Sequence, residues 1–132
     1  MPLIDANVFL EVELAQKRLK ECKTYLKRVM TGEIRAVTTS FIIDTISILM
    51  DNAECDSAQI RRFHLSLLKY KGLDIYDLTI GDRIAATDHM KSFDLDFDDA
   101  AAYAAMMATG TKEIVSFDKH FDKVPEIRRI EP

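Results

Sequence analysis

The sequence has no tryptophan, only two cysteines and only four glycines. Cys22 and Cys55 form no C-x-x-C pair, so we expect two free thiols in a reducing compartment rather than a disulfide framework. With so little glycine, no nucleotide-cradling G-x-x-x-x-G-K-[ST] or G-x-G-x-x-G loop is present, and there is no G-x-S-x-G elbow. His64 and His89 lack a histidine partner at i+4, which argues against a helical zinc motif.

Long apolar runs are also missing, and no segment has the length needed to span a bilayer. The start MPLID lacks the basic-then-apolar layout of a signal peptide, so we expect a cytoplasmic protein with no membrane association. The 132 residues are 48% apolar and 30% charged, which is typical of a globular protein. This length predicts one domain over residues 1–132 with a single core.

Positive charge is not in excess, since the net charge is −4. A basic domain is the usual mark of nucleic-acid binding, so the overall charge does not predict it. The basic residues are nevertheless uneven, and six of them crowd one segment that contains a single acid, Glu21. A solvated helix face is the simpler interpretation, and contact with phosphates is the alternative. The six are Lys17, Arg18, Lys20, Lys23, Lys27 and Arg28.

Short β-prone segments alternate with helical periodicity along the chain, which predicts a parallel sheet covered on both faces. Leu3, Ile4, Val8 and Phe9 suggest a buried first strand, followed by one helix over 9–30 that ends at Gly32. Further strands are predicted at 35–38, 73–78, 114–116 and 127–130, and further helices at 41–51, 56–70, 81–92 and 98–108. The first three of these helices have predicted N-terminal caps: Thr39 or Ser40, an Asp56-x-x-Gln59 capping box, and Thr79.

Four acids, Asp5, Asp44, Asp99 and Asp118, each lie next to a predicted strand end or helix start. Acids after apolar strands gather at the carboxyl edge of an open α/β sheet, where such folds place their sites. Carboxylates that meet there repel one another, and a divalent cation such as Mg²⁺ relieves that repulsion. The pattern therefore predicts a metal site suited to phosphate chemistry.

Each acid also has an ordinary structural interpretation. Asp5 could cap the following helix, although Asn7 would point to the same side of a strand and favours a site. Asp44 could lie on a polar helix face, and residue type alone does not decide. Asp98 and Asp99 suit a helix start, and since successive helical residues diverge, only one of them should be a direct ligand.

The segments LIDANVF, TTSFIIDTI, LDFDDAAAYAAM and IVSFDKHFDKV together resemble the PIN-domain family, which includes the VapC-type toxins of prokaryotic toxin–antitoxin pairs. The resemblance implies a three-layer α/β/α fold with a parallel sheet of about five strands. It matches Asp5, Asp99 and Asp118 to the first, third and fourth family acids, and Asn7 to the polar position beside the first. Where the family usually has glutamate as its second acid, this chain has Asp44.

The resemblance also implies a function: a Mg²⁺- or Mn²⁺-dependent ribonuclease that hydrolyses RNA phosphodiesters and is paired with an antitoxin protein. Asp5, Asp99 and Asp118 would bind the metal, with Asp44 acting partly through water. Asn7 or Ser116 would orient a ligand or water, with Asp98 beside them. The alternative is a PIN-like binding module without catalysis, which the change at Asp44 would favour.

If the chain is such a toxin, the predicted helices between residues 41 and 70 are a candidate homodimer or antitoxin surface. Their apolar residues exceed what one small sheet requires, although burial of all of them in the core is an equal alternative. The residues concerned are Ile42, Ile46, Leu49, Phe63, Leu67 and Leu68.

Overall fold

The computed structural model describes residues 1–132 as five parallel strands with helices on both faces. The strand order is β3-β2-β1-β4-β5, and every neighbouring pair is parallel. The strands are β1 Leu3–Ile4, β2 Ala36–Thr39, β3 Leu73–Tyr76, β4 Glu113–Val115 and β5 Arg128–Ile130. The helices are α1 Ala6–Glu13, α2 Leu19–Met30, α3 Ser40–Asn52, α4 Ser57–Leu67, α5 Ile80–Phe93 and α6 Phe97–Thr109, with a 3₁₀ helix at Lys119–Lys123.

The layers follow from the direction of the connections. From β1 to β2 to β3 the chain moves one way across the sheet, and right-handed crossovers place α1–α4 on one face. It then returns from β3 to β4, which places α5 and α6 on the other face, where they pack against each other. The order reverses between β1 and β4, so the carboxyl ends of these two strands flank the topological switch point.

The predicted first strand is wrong beyond Ile4. β1 has only two residues, and Asp5 begins α1 as its N-cap, accepting a 2.8 Å hydrogen bond from the Ala6 backbone N–H. Val8 and Phe9 are buried on this helix rather than on a strand. Asn7 therefore lies in the first helical turn, and the strand geometry predicted for it does not apply.

The single helix predicted over 9–30 is also wrong, because the chain breaks between α1 and α2. Leu14 is the C-cap of α1, and Ala15 adopts a left-handed conformation with φ of 48°. The apolar periodicity runs through this break because both helices bury one face against the same core. The remaining predicted elements are present, with boundaries shifted by a few residues. Thr39 caps α3, and Asp56 with Gln59 forms the predicted capping box of α4.

The main core lies between the sheet and α1–α4 and also includes the inner side of α6. A run of alanines lets α6 approach the sheet closely, since Ala101, Ala102 and Ala105 are all buried in this core. This close packing holds the first turn of α6 near the strand ends of β1 and β4. None of the helices combines the length and apolar character required to cross a membrane.

Candidate active site

Asp5 lies at the switch point of the sheet, directly after β1. Its backbone N–H still donates to Val115 O of β4 at 3.0 Å, so the sheet fixes its position. One carboxylate oxygen caps α1, and the other accepts a 2.7 Å hydrogen bond from the Ser116 hydroxyl. The same residue therefore has both of the roles that its sequence position suggested, helix cap and partner of other polar groups.

Ser116 and Asn7 connect Asp5 to the segment that follows β4. Ser116 is completely buried, and its hydroxyl oxygen accepts from the Asp118 backbone N–H at 3.0 Å and from Asn7 Nδ2 at 3.1 Å. Asn7 Oδ1 accepts from the Phe117 N–H at 3.3 Å. These bonds hold the loop carrying Asp118 against the start of α1. The structure thus brings Asp5, Asn7, Ser116 and Asp118 together.

Asp99 reaches the same region from the first turn of α6. It is 7% exposed, whereas Asp98 and Asp96 beside it are exposed. The Asp98 carboxylate accepts from the Asp99 backbone N–H at 3.1 Å, as an acid at a helix start does. Asp99 is therefore the member of the Asp98–Asp99 pair that faces the interior of the site.

His120 completes the cluster from the 3₁₀ helix after β4. Its Nδ1 lies 3.0 Å from Asp118 Oδ1 and 3.3 Å from Asp99 Oδ2. Ligand atoms of Asp99, Asp118 and His120 all lie within 4.8 Å of one another, as do those of Asp96, Asp98 and Asp99. From the sequence, His120 is near Asp118, but a lone histidine there is more often a surface residue than a ligand, and nothing in the pattern indicates that the turn after Asp118 directs this ring back onto the acids.

The carboxylates interact strongly with one another. Burial raises the pKa of Asp99 to about 7, and the nearby charges of Asp118, Asp98 and Asp5 add to that rise. Burial also raises the pKa of Asp5 above its usual value, against the lowering effect of its hydrogen bonds from Ser116 and Ala6, while Asp118 and Asp98 raise it further. The site therefore concentrates negative charge where water screens it poorly.

No lysine or arginine forms an ion pair with Asp5, Asp99 or Asp118. Arg129, whose guanidinium reaches the Ser116 carbonyl oxygen, is bound to Asp122 and Glu131. A group of oxygen donors with uncompensated charge suits a hard divalent cation such as Mg²⁺ or Mn²⁺. The residues present therefore fit such an ion. Asp99 and Asp118 lie close enough to share it, whereas Asp5 lies outside that group and both of its oxygens already accept hydrogen bonds.

Asp44 is not brought into this cluster. It lies exposed on α3 and makes no hydrogen bond or ion pair with Asp5, Asp99 or Asp118. Phe41, one turn earlier on α3, does approach the site, since its ring contacts that of Phe97 at the start of α6. The catalytic role assigned to Asp44 from the sequence stays a prediction.

Glu11 on α1 is a further acid near the site that sequence reasoning missed. It lies one helical turn after Asn7 and lines, with Asn7, Leu49 and Phe117, a cleft of about 330 Å³. Its Oε2 atom is the one buried side-chain polar atom that has no hydrogen-bond partner. Such orphaned atoms are uncommon in native structures. Its sequence signal, an acid among apolar residues at i+4 from Asn7, was visible but weak.

Comparisons with known proteins agree with the fold. The VapC20 toxin of Mycobacterium tuberculosis, described as cleaving the sarcin–ricin loop, superposes with a TM-score of 0.79 at 15% identity and full coverage of both chains. A toxin–antitoxin complex from Klebsiella pneumoniae gives 0.72 at 14% identity, covering 96% of this chain and 95% of the other. VapBC2 of Rickettsia felis, bound to a DNA fragment from its promoter, gives 0.72 at 10% identity, covering 98% and 96%. No curated protein sequence matches the chain.

These similarities to solved structures establish a shared fold, and the sequence itself supplies the family. The family model described as PIN domain matches residues 3–127, which is nearly the whole chain and includes all four acids discussed above. The chain belongs to the PIN-domain family.

Proposed function

We propose that this protein is a metal-dependent ribonuclease that hydrolyses RNA phosphodiester bonds and is the toxin of a VapBC-type pair. The observation that carries the proposal is the group of buried or half-buried carboxylates at the switch point, which no lysine or arginine neutralises. When bound, Mg²⁺ or Mn²⁺ supplies an activated water and stabilises charge on the phosphate. Asp5, Asp99 and Asp118 hold the ion in this proposal.

The other residues around the site have positioning roles in the same proposal. Ser116 donates to the Asp5 carboxylate and accepts from Asn7 and from the Asp118 backbone N–H, so Asp5 and the loop that carries Asp118 are preorganised. Arg18 lies over the Phe117 ring at 4.5 Å, which brings one cation of the basic segment beside the site. Arg18, which also pairs with Glu131 at 2.8 Å, and the exposed Lys119 next to Asp118 are therefore candidate groups for RNA phosphates.

Metal-free protein is expected to leave RNA intact, and added Mn²⁺ or Mg²⁺ is expected to start cleavage that EDTA stops. The measurement is a cleavage assay on structured and single-stranded RNA, run beside calorimetric titration of Mn²⁺. Metal binding together with cleavage supports the ribonuclease. A protein that neither binds Mn²⁺ nor cuts either RNA would instead be the PIN-like binding module, because it would lack both metal binding and cleavage, the two properties that the ribonuclease requires.

The proposal includes an antitoxin partner, a cytoplasmic location and a homodimer. Of the six apolar residues predicted for a partner surface, Ile42, Ile46 and Phe63 are buried and Leu67 is half-buried. Leu49 remains 40% exposed and Leu68 84% exposed. Leu65, Leu68 and Ile75 line one apolar cleft between α4 and the edge strand β3, which we call the α4–β3 surface. This surface is the candidate dimer contact.

Light scattering after size-exclusion chromatography is expected to give twice the mass of one chain. Leu68→Asp is expected to shift the protein to monomers, because it places a charge in the α4–β3 surface. Ile80→Asp is the matched control, since Ile80 is 70% exposed at the start of α5, outside that surface. A wild-type protein that is monomeric at all concentrations would rule out the homodimer.

A further inference from the structure

His120 is the only nitrogen-bearing side chain that contacts two of the clustered carboxylates. Asp118 is the N-cap of the 3₁₀ helix Lys119–Lys123 and accepts from the His120 backbone N–H at 2.9 Å. This turn brings the His120 ring back over the acids, with Nδ1 3.0 Å from Asp118 Oδ1 and 3.3 Å from Asp99 Oδ2. One ring nitrogen therefore faces oxygens from two different elements.

Packing does not explain this position of the ring. The His120 side chain is 61% exposed, and no aromatic ring lies against it. His64 and His89, in contrast, each contact aromatic neighbours. The contacts that hold His120 are those with Asp118 and Asp99, so its position depends on the acid cluster itself.

Two of the three spacings among these atoms match those around a shared cation, and the third, between the Asp118 and Asp99 oxygens, is below 4.8 Å. An octahedral divalent ion with ligands at about 2.1 Å separates adjacent ligand atoms by about 3 Å. The Nδ1–Oδ1 and Nδ1–Oδ2 distances of 3.0 and 3.3 Å are close to that value. A single N–H group can point well at only one acceptor, whereas a cation between the three atoms satisfies all of them.

We propose that His120 is a ligand of the metal ion, through Nδ1, and that it makes the site prefer Mn²⁺ to Mg²⁺. This inference rests on the metal site of the proposed function and adds to it a nitrogen ligand. Imidazole suits transition-metal ions, whereas Mg²⁺ selects oxygen ligands. An all-carboxylate site would discriminate less between the two ions than one that includes His120.

The test uses Mn²⁺ alone and Mg²⁺ alone on the full chain, without RNA. Pulsed electron paramagnetic resonance of bound Mn²⁺ is expected to show coupling to one directly bonded imidazole nitrogen, which His120→Ala removes. Calorimetry is expected to show at least a tenfold weaker affinity of His120→Ala for Mn²⁺, with less than a threefold change for Mg²⁺. His64→Ala is the matched control, because His64 is an exposed histidine on α4 whose partner is Ser47.

The outcomes separate this inference from the proposed function. If the wild type binds Mn²⁺ without nitrogen coupling, or if His120→Ala keeps the same preference between the ions, His120 is only a hydrogen-bond partner and the inference fails while the metal site stands. If the wild type binds no Mn²⁺ at all, both fail. Because His120 is exposed, circular dichroism is expected to show that His120→Ala remains folded.

Discussion

Asp5→Asn and Asp99→Asn are each expected to reduce metal-dependent RNA cleavage at least about a hundredfold, because each removes a charged ligand from the metal. Asparagine is the sharpest replacement, since it keeps the size of the side chain. At position 5 it also keeps a good helix N-cap, so α1 should be unaffected. The measurement is the single-turnover rate on one RNA substrate at saturating Mn²⁺, with the fold checked by circular dichroism.

A matched control is available on α5. Asp88 is an exposed acid in the middle of that helix and has no ion-pair partner, so Asp88→Asn changes the same charge elsewhere. We expect it to cleave RNA at the wild-type rate. If Asp5→Asn or Asp99→Asn cleaved RNA as fast as Asp88→Asn, the acid cluster would not be the catalytic site.

The same assay examines the second acid of the family pattern. Asp44 is exposed and contacts none of the other acids, so any contact with the metal would have to pass through water. We therefore expect Asp44→Asn to cost less than tenfold. A loss equal to that of Asp99→Asn would mean that α3 moves toward the cluster when metal and RNA bind.

Much of the fold was predictable because its local signals and its packing agree. The capping box Asp56–Gln59 and the N-cap Thr79 both lie where the sequence predicts them, and alternation of strands and helices led to the parallel sheet. These signals act over a few residues, so one chain is enough to recognise them. The family resemblance then predicted the three-layer arrangement, which the fold confirms.

The predictions of secondary structure are wrong where two local interpretations of the same residues compete. Around Asp5, an apolar run suggested a strand, but the carboxylate caps a helix and ends β1 after two residues. Between α1 and α2, the break depends on Ala15 in a left-handed conformation. No glycine or proline between the two helices indicates this break in the sequence. Apolar periodicity reports which residues are buried, and it does not report whether the helix carrying them is continuous.

In the candidate site, too, some residues could be predicted from the sequence and others could not. The order of the acids along the chain was enough to predict Asp5, Asp99 and Asp118 as neighbours. His120 and Glu11 could not be predicted in the same way, because their positions depend on a 3₁₀ turn and on the packing of α1 against the loop at Phe117. Asn7 was selected correctly for contact with Asp5, although through strand geometry that the structure does not have.

The second large effect expected is a fall in the stability of the metal-free protein as pH rises. The folded-state pKa of Asp99 is raised from 3.8 to about 7, so between these values the folded protein keeps a proton that the unfolded chain has released. The free energy of unfolding should therefore decrease from about pH 4 to about pH 7 and level off above. Three units at about 1.36 kcal/mol each give an upper bound of about 4 kcal/mol for Asp99.

Asp99→Asn should remove the part of this dependence that Asp99 contributes, while Asp5, whose pKa burial also raises, keeps its own part. The variant should be more stable than the wild type at pH 8 when metal-free. Urea unfolding in EDTA at pH 5, 6, 7 and 8 measures the free energy of unfolding, and Asp88→Asn is the control that keeps the wild-type dependence on pH.

Groups with lowered pKa, such as Asp122 and Glu131, lose their stabilising effect only as pH falls toward their depressed values, so they act below this window. If the free energy of unfolding changed equally with pH in the wild type and in Asp99→Asn, the raised pKa of Asp99 in the carboxylate cluster would be contradicted. A gain in stability joined to a loss of cleavage in the same variant would show that the fold carries this charge for its function rather than for its stability.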